Sequence, residues 1–458
     1  MEDMKNGKRS SFSGKLGYVL AAAGASVALG NIWRFPYLAA KYGGGIFLII
    51  YIVLALTFGY TMIVAETAIG RMTRKSPVGA FKSFGKKKWL SFGGWINAVI
   101  PVLIVPYYSV IGGWVIKYLV EYFRGNAKLL AEDGYFTDFI SNGVSTELCF
   151  VAFCAFTLII IFAGVQNGIE RVSKIMMPIL IVLSVIIAVY SVTRPGALAG
   201  VKYFLVPNVK NFSWMTVVSA MGQMFYSLSI AMGILITFGS YMKKDTAIED
   251  STRNVEIFDT GIAIMAGLMI IPAVFAFSGG DPDTLQAGPS LMFITIPKVF
   301  QNMGFGTVIG IVFFLLVLFA AVTSSIALTE SAVSTFEDEL GWGRKKATVL
   351  VGVIMLALGS LSSLGYGPLA GIKIIGMQFL DLFDFLTNSV MMPIAALLTS
   401  LLVSRVVGID KIEDEIIHGE SAFRRKKVFV VMIKYLCPVF AIIILLSSVA
   451  NALGWIKM

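Results

Sequence analysis

The sequence predicts an all-α integral membrane protein with eleven transmembrane helices. Hydrophobic residues make up 57% of the 458 residues and charged residues only 14%, and the mean hydropathy is +0.83. These values lie far outside the range of soluble globular chains. Apolar runs of about 20 residues recur from end to end, and a helix of that length crosses about 30 Å of hydrocarbon. Small polar residues interrupt two of these runs.

The apolar runs predict a single transmembrane domain with two halves and an additional helix. Runs one to five form a first half at about 14–192, runs six to ten form a second half at about 213–405, and the last run is the additional helix at about 428–452. In chain order, the eleven runs are at about 15–40, 45–70, 91–119, 147–164, 170–192, 213–241, 256–278, 306–335, 347–365, 376–403 and 428–452.

The net charge of +10 is explained by membrane topology, so no nucleic-acid partner is expected. Basic residues concentrate in KNGKR (5–9), in the loop at 71–88 and in FRRKK (423–427), which all lie on one side of the membrane in the count. The opposite loops, such as GGDPDTLQAGPS (279–290), are acidic or balanced. The positive-inside rule therefore predicts a multi-pass protein of the cell membrane with a cytoplasmic amino terminus and an external carboxyl terminus.

The sequence contains no motif typical of an enzyme active site. It contains no nucleophile elbow, zinc-protease motif, phosphate-binding loop or dinucleotide fingerprint, which disfavours both an ATP-driven pump and a membrane hydrolase. The three cysteines lie in or beside apolar runs without the spacing of a metal site or a disulfide. We expect no catalytic activity and no organic cofactor.

The first and sixth runs are interrupted at matching places, by AGASVALGN (23–31) and YSLSIAMG (226–233). Unpaired backbone groups inside a bilayer are costly unless they line an enclosed site. Helix amino ends favour an anion, and freed carbonyl groups favour a cation. Small residues also allow close helix packing, which would explain either break alone. Two breaks at the heads of repeated halves favour the binding site of a secondary transporter.

Five motifs follow one another at the spacing of a known family. They are GNIWRFPYLAAKYGGGIF (30–47), VPYYSVIGGW (105–114), GQMFYSLSIAMG (222–233), FAAVTSSIALTESAVSTFEDEL (319–340) and DLFDF (381–385). With them the chain resembles the neurotransmitter:sodium symporters, and among these the bacterial amino-acid transporters related to the leucine transporter. The resemblance covers nearly the whole chain. It implies an inverted five-plus-five helix repeat with helices 1 and 6 unwound in mid-membrane, and sodium-coupled amino-acid symport by alternating access.

The resemblance also implies one or two sodium sites. The second site would use carbonyl groups of Gly24, Val27 and Ala320 and the hydroxyl groups of Thr323 and Ser324. The first site would use Ser26, Asn31, Ser227 and Asp259. Oxygen ligands of this kind suit a hard cation. From the residues alone, the TSS hydroxyl groups would equally well bond back to carbonyl groups one turn earlier.

Asp259 departs from the pattern of the leucine transporter, which has asparagine at this place. Chloride-dependent relatives need an anion nearby, and the carboxylate of Asp259 would supply that charge directly. We therefore predict chloride independence. The alternative is an acidic residue near the amino end of a helix, satisfied by the helix dipole and water.

The substrate site implied by the resemblance holds a zwitterion. Its carboxylate would meet the N–H groups of Leu29 and Gly30 and the hydroxyl of Tyr108, and its ammonium would meet Ser26, Tyr226, Ser227 and Ser229. The walls would be Ile104, Tyr226, Ser229, Ala231, Met232, Ser324 and Leu328, none of them charged. A buried charge on the substrate side chain would stay unpaired, so a neutral amino acid is expected. The flexible thioether of Met232 can shift to admit a ring, which favours a large aliphatic or aromatic side chain. Ala28 disfavours a substrate without a carboxylate.

Two ion pairs would close the pathway. Arg34 and Asp384 would form the outer gate, above an aromatic lid of Tyr108 and Tyr226, and Arg9 and Asp338 the inner gate. A purely structural pair is the alternative for Arg34, because a membrane arginine needs a partner in either case. Phe12 stands where the family usually has tryptophan. Glu66 is expected to be structural.

Other functions stay open at this stage. A symporter of the same fold could carry a different small zwitterion or couple to protons, and a channel is a more distant alternative. The oligomeric state is not predicted.

Overall fold

The computed structural model describes residues 9–279, 288–452 and 455 of the chain. Among these residues, all regular structure is helical apart from two isolated β-bridges. The predicted loop 279–290 and the amino-terminal KNGKR lie mostly outside the described residues. Nine described helices are long and apolar enough to span a membrane, and a bent pair makes a tenth span.

Thirteen helical segments form the frame, several with π-helical turns. They are α1 Lys15–Ser26, α2 Gly30–Lys41, α3 Gly45–Thr73, α4 Lys88–Phe123, α5 Gly143–Phe162, α6 Val165–Val192, α7 Trp214–Ser227, α8 Ile234–Tyr241, α9 Ile248–Ser278, α10 Gly306–Leu340, α11 Arg344–Leu364, α12 Phe379–Val407 and α13 Lys426–Asn451. The all-helical membrane fold expected from the sequence is thus found, whereas the count of eleven spans is reached only if α7 and α8 are taken as one.

The first apolar run is divided into α1 and α2, which meet at an angle of 54°. Val27 leaves the helical conformation with ψ at 81°, although its N–H still reaches Ala23 O at 2.7 Å. The following residues re-enter a helix through a π-helical turn at Gly30–Arg34. The carbonyl groups before the bend are therefore released from the regular helical pattern.

The sixth run is divided into α7 and α8 by six residues, Leu228–Gly233. Ser229 and Ala231 adopt the left-handed region with φ of 53° and 59°. A residue with a side chain in this region costs about 1–2 kcal/mol. The backbone here is held away from the helical conformation by its surroundings.

Glycines allow α8 to approach α3 closely. A Cβ atom added at Gly70 would lie 2.0 Å from the carbonyl oxygen of Ile236, and one at Gly239 would lie 2.4 Å from that of Thr67. No larger side chain fits at these two positions without a shift of backbone. Small residues at helix contacts are typical of membrane proteins.

The segment between α12 and α13 is tied to α3 and α9 on the side that carries the basic loops. The buried Arg71 donates from Nε to Glu415 Oε1 at 2.7 Å and also bonds to the main-chain oxygen of Thr246. Glu420 accepts the N–H of Glu249 at 2.6 Å. Glu249 in turn accepts two N–H groups at the start of α13, from Arg424 at 2.8 Å and Arg425 at 2.9 Å.

We expect Arg71→Met to lower the free energy of unfolding by about 3–5 kcal/mol, because it leaves the carboxylate of Glu415 buried without its cation. Lys82→Met is the matched control, since its pair with Glu339 has side-chain exposures of 43% and 19%. That control should change the free energy by less than about 1 kcal/mol. Thermal unfolding of the purified protein measures both, and equal effects of the two variants would contradict the importance of the buried pair.

Candidate functional site

The two interruptions of the helices lie against each other. Ser229 Oγ donates a hydrogen bond of 3.0 Å to Ala25 O, and Gln223 Nε2 donates one of 3.2 Å to Gly30 O. A Cβ atom added at Gly30 would lie 2.4 Å from the ring of Tyr226. Backbone groups freed from both helices therefore face a common region, as expected for a ligand site.

Asp259 forms the centre of this region. It is fully buried, and its Oδ1 accepts hydrogen bonds of 2.8 Å from Asn31 Nδ2 and of 2.8 Å from Ser227 Oγ. The hydroxyl of Tyr51 lies 2.9 Å from Oδ2 and 3.0 Å from Ser227 Oγ. Because Asp259 lies well inside α9, the alternative of an exposed acid at the helix amino end is wrong.

Three of the expected first-site residues, Asn31, Ser227 and Asp259, are thus in contact. The amide oxygen of Asn31 lies 3.4 Å from the N–H of Ala28. Ser26 adjoins the bend, and its hydroxyl bonds back to Ala22 O at 3.1 Å. A buried carboxylate surrounded only by neutral donors fits a hard cation, because such a charge is costly without a counter-charge.

The residues expected at the second sodium site also lie together. Ser324 Oγ lies 3.1 Å from Gly24 O, 3.2 Å from Ala25 O and 3.4 Å from Val27 O. Thr323 Oγ1 bonds back to Phe319 O at 2.9 Å. The bond of Thr323 is the local one that a membrane helix alone predicts, while Ser324 faces the bend of the first run.

Thr323 completes the same group of oxygens. A Cβ atom added at Gly24 would lie 3.1 Å from its Cβ, so its side chain is beside the bend, and its hydroxyl is 3.2 Å from Ala320 O. The residues at this place therefore supply carbonyl and hydroxyl oxygens and no charged group, which fits a second hard cation.

The proposed substrate residues surround the interruptions. The hydroxyl of Tyr108 lies 3.4 Å from the N–H of Leu29. Of the expected wall residues, Tyr226 is half-buried and the other six are buried; they are Ile104, Ser229, Ala231, Met232, Ser324 and Leu328. Glu66 accepts the N–H of Ala231 at 2.8 Å, which agrees with the structural role expected for it.

A cavity of about 570 Å³ lies above this region and is lined by Tyr108, Tyr226, Arg34 and Asp384. The guanidinium of Arg34 stands 5.5 Å from the centre of the Tyr226 ring. Both gate residues are among those described, yet they form no ion pair with each other; Asp384 instead accepts a hydrogen bond of 2.6 Å from Asn388. The expected outer pair is therefore not formed in this arrangement, and Oδ1 of Asp384 is bonded to neutral donors instead.

The expected inner pair is formed. Arg9 Nη1 lies 2.5 and 2.6 Å from the two carboxylate oxygens of Asp338, which also accept the N–H of Ser76 at 2.6 Å. Burial lowers the pKa of Arg9, but the nearby Tyr241 and Asp338 raise it by more, so it stays above its usual value. Phe12 packs edge-on against three rings. The pair of Arg9 and Asp338 thus forms with phenylalanine at the position where the family usually has tryptophan.

Sequence reasoning missed four residues of this region: Tyr51, Tyr107, Gln223 and Asn388. Tyr51 is a polar group among apolar residues of α3, and Gln223 shares a face of α7 with Ser219 and Ser227, which was the signal available for them. Nothing in their spacing connects them to residues that lie 193 and 208 positions away in the chain.

The chain matches the model of the sodium:neurotransmitter symporter family over residues 9–137 and 134–455. It is 34% identical to the sodium-dependent transporter YhdH of Bacillus subtilis over 450 residues, covering 97% of this chain and 99% of that one. It is 26% identical over 474 residues to human sodium- and chloride-dependent GABA transporter 2, covering 89% of this chain and 75% of that protein.

A solved structure is similar over nearly the whole length. It is the crystal structure of MhsT in complex with L-phenylalanine, with a TM-score of 0.86 and 34% identity, covering 96% of this chain and 100% of that one. The similarity supports the leucine-transporter fold expected from the sequence motifs.

We expect Asn31→Ala to reduce the thermal stabilisation of the purified protein by sodium to what the second site alone supplies, because it removes a group that contacts Asp259. A ligand present at about 100 times its dissociation constant stabilises by about 2.7 kcal/mol. Asn97→Ala is the matched control, since this buried asparagine bonds only within its own helix, to Gly93 O. A sodium-dependent shift as large in Asn31→Ala as in the unchanged protein would remove Asn31 from the ion site.

Proposed function

The chain belongs to the sodium:neurotransmitter symporter family, and on that premise we propose that it imports a neutral, hydrophobic or aromatic amino acid together with sodium. Import proceeds by alternating access and does not require chloride. The observation that carries the proposal is the buried carboxylate of Asp259, bonded to Asn31 and Ser227 where the two helix interruptions meet.

The membrane arrangement follows the same premise. The chain is a multi-pass membrane protein, and we place it in the cell membrane with its amino terminus in the cytoplasm and its carboxyl terminus outside. Taking α7 and α8 as one unwound span gives eleven helices, in repeats at about 14–192 and 213–405 with an additional helix at about 428–452. Helices 1 and 6 are then both interrupted in mid-membrane, which is the arrangement of many transporters with inverted repeats.

One or two sodium ions are carried. The first is held by Ser26, Asn31, Ser227 and Asp259, and the second by Gly24, Val27, Ala320, Thr323 and Ser324. The human GABA transporter is named as chloride-dependent. In this chain the carboxylate of Asp259 supplies a fixed negative charge next to the first site, and this replaces the charge of a bound chloride ion.

The substrate is a zwitterion. Its carboxylate is bound by the N–H groups of Leu29 and Gly30 and by the hydroxyl of Tyr108, and charge-assisted bonds of this kind are strong in a dry site. Its ammonium group is bound by oxygens of Ser26, Tyr226, Ser227 and Ser229. The side-chain pocket of Ile104, Met232 and Leu328 is apolar, and MhsT, the similar structure, is in complex with L-phenylalanine.

The membrane potential supplies part of the driving force. Each elementary charge that crosses 100 mV contributes about 2.3 kcal/mol, so two sodium ions carried with a zwitterion contribute about 4.6 kcal/mol. At about 1.4 kcal/mol per factor of ten, this corresponds to roughly a thousandfold concentration of substrate. With a single ion the factor is correspondingly smaller.

The direct test is uptake of tritiated L-phenylalanine by liposomes that contain the purified protein. We expect accumulation driven by an inward sodium gradient and unchanged when gluconate replaces chloride on both sides. Accumulation driven by a proton gradient without sodium would show that the coupling ion is the proton. Non-saturating flux without accumulation would favour a channel. Loss of uptake without chloride would contradict the role given to Asp259.

Competition by the other standard amino acids identifies the preferred side chain in the same assay. A strongly preferred charged or non-zwitterionic competitor would contradict the proposed substrate class, while leaving sodium coupling intact.

We expect Tyr108→Phe to weaken binding of L-phenylalanine about 10- to 100-fold, because a hydrogen bond to a charged group contributes about 1.5–3 kcal/mol. Equilibrium binding to the purified protein in sodium measures the change. Tyr122→Phe is the matched control, since its buried hydroxyl has no hydrogen-bond partner among the described residues. Unchanged affinity in Tyr108→Phe would remove the phenol from the carboxylate site.

A further inference from the structure

Two polar side chains beside the outer gate have no role in the transport cycle described above. Asn388 Nδ2 donates a hydrogen bond of 2.6 Å to Asp384 Oδ1, and the hydroxyl of Tyr107 donates one of 3.2 Å to the same oxygen. Asn388 lies one turn after Asp384 on α12, whereas Tyr107 comes from α4. The gate carboxylate is therefore held by neutral donors from two helices.

The shortest hydrogen bond of the Asn388 amide is the one to Asp384. Its nitrogen makes a second, longer contact of 3.4 Å with the hydroxyl of Tyr107. Its oxygen is buried and has no hydrogen-bond partner among the described residues. A buried amide with an unsatisfied oxygen is costly, so the contacts of its nitrogen decide where the side chain lies.

Arg34 lines the same cavity. Its guanidinium is over the ring of Tyr226 and is not paired with Asp384. An arginine binds a carboxylate most strongly through two parallel hydrogen bonds that use both oxygens. Since Oδ1 of Asp384 already accepts two bonds, the full pair with Arg34 requires Asp384 to leave its present donors.

We propose that Asn388 and Tyr107 are positioning residues that hold the outer gate open by engaging Asp384, and that closure exchanges them for Arg34. The inference rests on the proposed function, because it assigns a step of the transport cycle to them. An exposed ion pair is weak, so neutral donors hold the carboxylate while the cavity is wet. When substrate binding excludes water, the lower dielectric strengthens the ion pair and favours the exchange.

The experiment measures how open the outer cavity is without using a substrate. Ser448, which lines the cavity from α13, is replaced by cysteine in a Cys149→Ser background, where the two other native cysteines are buried. The rate of alkylation by a charged, membrane-impermeant thiol reagent in sodium reports the open fraction. Asn388→Ala should shift the equilibrium about tenfold toward the closed gate, the effect of about one hydrogen bond to a charged group, and slow the alkylation accordingly.

Three variants separate gating from general damage. Tyr107→Phe should act in the same direction with a smaller effect, since its bond is longer. Ser389→Ala, at the next position and lining the same cavity, should leave the rate unchanged. In an Asp384→Asn background, Asn388→Ala should lose its effect, because no carboxylate remains to be exchanged.

The proposal is overturned if Asn388→Ala and Tyr107→Phe leave the rate unchanged or raise it, or if Asn388→Ala acts equally in the Asp384→Asn background. Sodium-driven uptake of L-phenylalanine by the same proteins separates a failure of the gating proposal from a failure of the proposed function. Loss of the gating effect with uptake intact refutes the positioning role alone, and absent uptake with the gating effect intact refutes the function alone.

Discussion

The rest of the structure depends on one buried charge. The carboxylate of Asp259 is removed from solvent and is surrounded by Asn31, Tyr51 and Ser227. These four residues come from α9, α2, α3 and the end of α7, so a single group connects the two interrupted runs to their neighbours. Neutral donors reduce the cost of a buried carboxylate but do not remove its charge. A cation bound beside it would do so, which links ion binding to the packing of four helices.

Specific contacts stabilise the non-helical conformation of the interruption between α7 and α8. Ser229 and Ala231 have left-handed backbone conformations, and the N–H of Ala231 is bound by the buried Glu66. Gly70 and Gly239 let α8 press against α3, which fixes the position of the chain after the break. The backbone strain at two residues is thus offset by contacts that a continuous helix would not make. The proposed site is in this sense shaped by contacts within the protein.

Sequence reasoning was most successful where a local pattern decides the outcome. Apolar runs determined the helices, and the breaks at 23–31 and 226–233 were visible because small polar residues are unusual in such runs. The boundaries were less accurate, since α10 continues to Leu340, beyond its apolar run at about 306–335. Tyr51 and Asn388 could not be predicted, because their partners are set by tertiary packing. The unformed pair of Arg34 and Asp384 depends on the conformation of the gate, which no motif specifies.

The two ends of the pathway differ in how their carboxylates are satisfied. Asp338 has both oxygens engaged by Arg9 and also accepts the N–H of Ser76. Among the described residues, Asp384 is bonded to neutral donors and forms no pair with Arg34, which lines the same cavity. The inner pair is therefore formed and the outer pair is not, which in the proposed cycle corresponds to a site open to the outside. In the proposed cycle, opening to the inside must break the inner pair. The free energy lost with that pair must be offset by the binding of ions and substrate and by formation of the outer pair. A ligand contributes to this shift only through its difference in affinity for the two states.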